Sequence, residues 1–115
     1  MFRVKKEIAY QVADDPVTLS VIIGQAQLGR SVVKLEGEAV KRGINIRRAE
    51  IAAGGELTGK VLTIKSVVTD VNDKTNRLSV RYELDGGPEP LVEDVETIVE
   101  REGDSAIFRM TITFE

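Results

Sequence analysis

Residues 77–84, RLSVRYEL, alternate without a break. Leu78, Val80, Tyr82 and Leu84 fall on one side of an extended chain, and Arg77, Ser79, Arg81 and Glu83 on the other. Successive strand residues point to opposite faces, so the pattern predicts a strand with one face in a core and one in water. Upstream lies DVNDKTN, residues 70–76, dense in aspartate and asparagine. Downstream lies DGGPEP, residues 85–90, whose two glycines and two prolines cannot continue a central strand. A strand punctuated by turns on both sides is the repeating unit of an all-β chain.

The same period recurs outward from this stretch. In AIFRMTITF, residues 106–114, Ala106, Phe108, Met110, Ile112 and Phe114 share one face, with Arg109, Thr111 and Thr113 on the other. VTLSVII puts Val17, Leu19, Val21 and Ile23 together, after the turn residues Asp14, Asp15 and Pro16. FRVKKEIAYQV does so with Phe2, Val4, Ile8, Tyr10 and Val12, and only Lys6 breaks the series. SVVKLEG reads as a short strand with Val33 and Leu35 inward, after a connection GQAQLGR at residues 24–30.

Three segments are less regular. Between Leu57 and Val71, Leu62 and Ile64 share one face, while Val67, Thr69 and Val71 share the other. One extra residue would flip the faces in this way, so a β-bulge is expected near Ser66. In residues 38–52, Val40, Ile44 and Ile51 approximate helical spacing, but Gly43 is a poor helix residue and a strand near 44–51 is preferred. Residues 91–101 could form a short helix on Leu91, Val92, Val95, Ile98 and Val99; their β-branched content favours a strand, paired as a hairpin with 106–114.

Seven to eight strands with no strand–helix–strand rhythm predict one domain, residues 1–115, folded as an antiparallel β-sandwich. A small β-barrel, with one short helix near 91–101, is the alternative. The chain has 115 residues and 42% apolar content, enough to bury a core without staples.

Composition removes several chemistries. There is no cysteine, hence no disulfide framework or thiolate. There is no histidine, hence neither the commonest general base nor the commonest metal ligand. Read from Met1 as a natural start, the first residues lack the apolar core of a signal peptide. No run approaches the roughly 20 apolar residues of a membrane span. A soluble, cytoplasmic protein is the expectation.

The DVNDKTN run is the first site candidate. A calcium loop of the helix–loop–helix type needs oxygen ligands at alternate positions, then a glycine and a final glutamate. Asp70 and Asn72 fit the first two positions, but Lys74 occupies the third, Asn76 replaces the glycine and Arg81 stands at the twelfth. Aspartate and asparagine also bond their own backbone, so the run is read as a turn, with no metal and no cofactor.

The second candidate is basic. KRGINIRR carries Lys41, Arg42, Arg47 and Arg48, which could hold an acidic partner. No aromatic residue lies among them to stack a base, and the pI near 5.1 argues against nucleic acid. The third candidate is acidic. Residues 83–104 hold nine carboxylates against the single cation Arg101, whereas residues 1–82 hold fourteen cations against nine carboxylates. This asymmetry suits association of basic with acidic surfaces.

No catalytic residues are assigned. Serine lacks a histidine base, and with 19 acidic residues any carboxylate pair is unspecific. The leading expectation is a non-catalytic module that binds a protein partner or forms a homo-oligomer, with neither nucleic acid nor membrane as partner. A barrel holding a small molecule or lipid is second, and a carboxylate-based hydrolase a distant third.

Overall fold

Nine strands form among residues 2–115, the residues described by the computed structural model. They are β1 (Phe2–Tyr10), β2 (Pro16–Ile23), β3 (Leu28–Leu35), β4 (Glu38–Gly43), β5 (Ile46–Ala53), β6 (Val61–Thr69), β7 (Arg77–Asp85), β8 (Leu91–Ile98) and β9 (Ser105–Phe114), with a one-turn helix α1 (Gly54–Leu57) before β6. Two sheets pack face to face, in the orders β1-β9-β6-β3-β4 and β5-β2-β7-β8. This is the expected sandwich. No strand pairing joins the two sheets among the described residues, so the barrel alternative is set aside.

The clean alternations lie where the pattern places them. Leu78, Val80, Tyr82 and Leu84 of β7 are buried, as are Ala106, Phe108, Met110, Ile112 and Phe114 of β9. Val17, Leu19 and Val21 of β2 complete the opposing layer. The interior between the sheets is occupied by these side chains, as expected when two alternating faces interdigitate.

Five details differ from the sequence reading. First, β6 has no bulge: it runs in unbroken register with both β3 and β9. Ser66 points inward with Leu62, Ile64 and Val68, because its hydroxyl is bonded to that of Ser31 at 2.6 Å. A satisfied buried hydroxyl can occupy a core position that alternation alone would reserve for an apolar residue. Burial also pushes the Tyr82 phenol well above its ordinary range, partly offset by a hydrogen bond with Ser66.

Second, the strand preferred near 44–51 forms as β5, but a further strand, β4, precedes it over residues 38–43. Val40 and Ile44, which suggested a helix, are 46% and 55% exposed. Third, 91–98 is a strand and not a helix, but it pairs with β7 instead of forming a hairpin with β9. The link from Ile98 to Ser105 therefore crosses from one sheet to the other. Fourth, Leu28, Gly29 and Arg30 belong to β3, and the turn before them is only Gly24–Gln27, with Gln25 and Ala26 both left-handed. Fifth, β1 lies parallel to β9, while every other pair is antiparallel.

Lys6, the break in the first strand's pattern, has a structural partner. It lies on the inner face of β1 and meets Glu93, on the inner face of β8, at 3.0 Å. Higher up the same side, the Tyr10 hydroxyl donates to the Glu89 carbonyl at 2.8 Å and accepts from the Gly87 amide at 3.0 Å. These contacts tie the β1 edge of one sheet to the β8 edge of the other. Gly86, at φ +109°, passes so close to Pro16 that a side chain would collide with its carbonyl.

Candidate interaction surfaces

Most polar groups of the DVNDKTN loop bond its own backbone or the neighbouring turns. Gln27 reaches in from the preceding turn: its Oε1 accepts from the amides of Val71 and Asn72, and its Nε2 donates to the carbonyls of Thr75 and Arg77. Asn72 Oδ1 accepts from the Lys74 amide at 3.0 Å, and its Nδ2 donates to the Gln25 carbonyl at 2.8 Å. Thr75 Oγ1 accepts from the Arg77 amide. These are side chain–backbone turns. Among the described residues, no group of three or more acidic side chains converges as metal ligands would. Asp70 stands apart: it is fully buried, and neither carboxylate oxygen has a protein hydrogen-bond partner. The sequence reading missed this.

The four basic residues of KRGINIRR do not form one patch. Lys41 and Arg42 occupy adjacent positions of β4 and so face opposite ways, with Arg42 beside Val32 on the outer face. Arg47 and Arg48 lie in β5, in the other sheet. There the pairing with β2 shifts register, so that both oppose Ser20. Arg48 is left-handed at φ 47°, and its amide donates to the Ser20 hydroxyl at 2.9 Å. This is a bulge on an edge strand, a recurrent device against edge-to-edge aggregation.

What the fold does bring together is a different cation set. Across the outer face of the five-stranded sheet, Lys5 pairs in register with Arg109, Arg109 with Lys65, Lys65 with Val32, and Val32 with Arg42. The neighbouring row runs Arg3, Ile107, Val67, Arg30. Adjacent strands lie about 4.8 Å apart, so Lys5, Arg109 and Lys65 are direct like-charge neighbours, a destabilising arrangement. All six cations are exposed, and none is ion-paired with a described carboxylate. Arg3, Lys5, Lys65 and Arg109 line a concavity of about 120 Å³ without a carboxylate.

The outer face of the four-stranded sheet is built the other way. Arg81 holds Asp94 of the next strand in a bidentate pair, at 2.8 and 3.1 Å. Arg77 lies 3.7 Å from Glu96. The Arg81 hydrogen bond holds the Asp94 carboxyl below the usual carboxylate range. Glu83 and Asp85 add further negative charge on β7. The exposed positions of β8, at the sheet edge, are Val92, Asp94, Glu96 and Ile98. Charge is thus divided between two faces as well as along the sequence. No protein-family model, curated protein or solved structure matches the chain.

Proposed function

We propose that this chain is a non-catalytic protein-interaction and assembly module that associates through complementary charged surfaces. One observation carries the reading: the row Lys5, Arg109, Lys65 and Arg42 crosses a whole sheet face with no carboxylate partner among the described residues. Like charges set side by side cost stability, and an acidic surface laid against them would offset that cost. The edge strand β8 carries the exposed carboxylates Asp94 and Glu96, which a second copy's cations would share with Arg81 and Arg77, so self-association belongs to the proposal. A cytoplasmic setting fits it too, since a chain without cysteine takes nothing from an oxidising compartment. Lys41, Arg47 and Arg48 serve this reading as subsidiary basic contacts at the opposite sheet edges.

Sedimentation velocity at low salt and at roughly 0.5 M salt tests the proposal, because exposed charges are screened over a few ångströms at the higher value. The expected result is a species larger than the monomer that dissociates as salt rises. A monomer at every salt and protein concentration would overturn self-association, and an oligomer indifferent to salt would overturn its charged basis.

A further inference from the structure

The two edge strands on one side of the sandwich, β1 and β8, have matching chemistry, and the monomer itself specifies how they would meet between copies. Lys6 stands level with Glu93, and Tyr10 level with Glu89. The Tyr10 hydroxyl also meets the Gly87 amide, so the end of β1 lies beside the residues that lead into β8, and Lys6 beside Glu93 sets the level: β1 and β8 run antiparallel, one above the other in the two layers. A two-fold axis beside this edge and along the strands exchanges the layers without changing height or strand direction. It sets β1 of one copy beside β8 of the other, antiparallel, in the same register. The pairing that follows is Arg3 with Glu96, Lys5 with Asp94, Val4 with Val95, Lys6 with Glu93 and Ile8 with Leu91.

We infer that the chain forms a closed two-fold dimer in which β1 of each copy pairs with β8 of the other, merging each five-stranded sheet with the partner copy's four-stranded sheet. This rests on the assembly reading above and names its partner as a second copy. Two of the three outward pairs, Arg3 with Glu96 and Lys5 with Asp94, join opposite charges, the third sets Glu7 opposite Val92, and the inward pairs Val4 with Val95, Lys6 with Glu93 and Ile8 with Leu91 are apolar or oppositely charged. That register follows from the monomer's own Lys6–Glu93 contact. Directly opposed cross-strand pairs of this kind stabilise a sheet. The basic row of the outer face then ends on an acid: Lys65, Arg109 and Lys5 are followed by Asp94 of the second copy, already flanked by its Arg81. Competing pairings are disfavoured, since β8 against β8 sets acid on acid and β1 against β1 sets cation on cation. The arrangement is isologous and closes on itself, using both edges on this side and avoiding an open fibre.

The chain has no cysteine, so introduced ones report cleanly. A Lys5→Cys, Asp94→Cys variant should form a covalent dimer on mild oxidation, because within one copy these positions face away from each other on opposite outer faces. A Lys5→Cys, Glu50→Cys variant, with its second thiol on the far edge, should not cross-link at a comparable rate. Arg3→Glu with Lys5→Glu should weaken dimerisation by about tenfold or more, as should Asp94→Lys with Glu96→Lys, and mixing the two variants should restore a heterodimer. Association in sedimentation without cross-linking or charge-swap rescue would overturn this geometry and leave the assembly reading standing. A monomer under all conditions would end both. Should a variant fail to fold, hydrogen exchange on the unaltered chain decides: β1 and β8 edge amides must gain protection with concentration, and protection gained only elsewhere overturns the inference.

Discussion

The outer faces of the two sheets obey the same cross-strand geometry and opposite charge logic. On the four-stranded sheet, arginines of β7 stand beside carboxylates of β8, and Arg81 and Asp94 neutralise each other. On the five-stranded sheet, Lys5, Arg109 and Lys65 stand side by side with nothing between them. Sandwich stability requires neither pattern, because both faces look away from the core. One face carries cross-strand ion pairs, and the cations of the other have no carboxylate partner among the described residues.

The largest test of this contrast lies within one strand. Phe108 and Arg109 are neighbours on β9, one in the core and one in the cation row. Phe108→Ala should lower stability by about 3–5 kcal/mol. Arg109→Ala should change it by less than about 1 kcal/mol, with a favourable sign where like-charge repulsion dominates. Thermal melts of the two variants decide it, and equal shifts would break the assigned inner and outer faces.

The next effect is interior. Asp70 is a buried carboxylate without a protein partner, the core's counterpart of the incomplete outer face. Polar oxygens buried without a hydrogen-bond partner cost about 1–3 kcal/mol, so the apolar, similarly shaped Asp70→Leu should raise stability by up to about that amount in denaturant titration. A loss would mean that this carboxylate is satisfied by something other than protein.

Smaller effects sharpen the surface comparison. Lys65→Glu places an acid between Arg109 and Val32 and should stabilise by about 0.5 kcal/mol at low salt. Arg81→Glu places an acid beside Asp94 and should have the opposite sign. Both changes should shrink when the melts are repeated in high salt. The smallest effect is in pH. Asp94 has a depressed pKa in the folded state, so its contribution is present above the unfolded value of about 3.9 and is lost as pH falls through the folded one. Arg81→Gln should flatten the stability–pH profile below about pH 4, and an unchanged acid limb would show that the pair contributes nothing measurable.

The core was legible where burial alone dictates side-chain choice. β7 and β9 are central strands, each apolar on one face, and alternation identifies every inward residue. Legibility failed where a polar group takes an inner position because it is bonded there. Ser66 mimicked a bulge because Ser31, its partner, lies 35 residues away. Lys6 looked like a fault until Glu93 appeared across the layers. β4 escaped notice differently: it is exposed along nearly its whole length, so no burial pattern marks it. The cation row depends on strand order. Lys5, Lys65 and Arg109 each read as an outward residue of its own strand, and only the register of three distant segments makes them neighbours. The KRGINIRR cluster was visible because it is contiguous, and the fold separates it.

The parallel pairing of β1 with β9 has a kinetic meaning. Phe2 registers with Ala106, so this ladder joins the first described strand to the last, and among the described residues of one chain β1 has no other sheet neighbour. Contacts of such sequence separation close late, and sheets built on them fold slowly. Since β9 is also the partner of β6, the five-stranded sheet cannot complete its middle until residues 105–114 are in place, and β1 can dock only after that. The first strand in the sequence is therefore expected to be the last to arrive during folding and the first to leave when the structure opens.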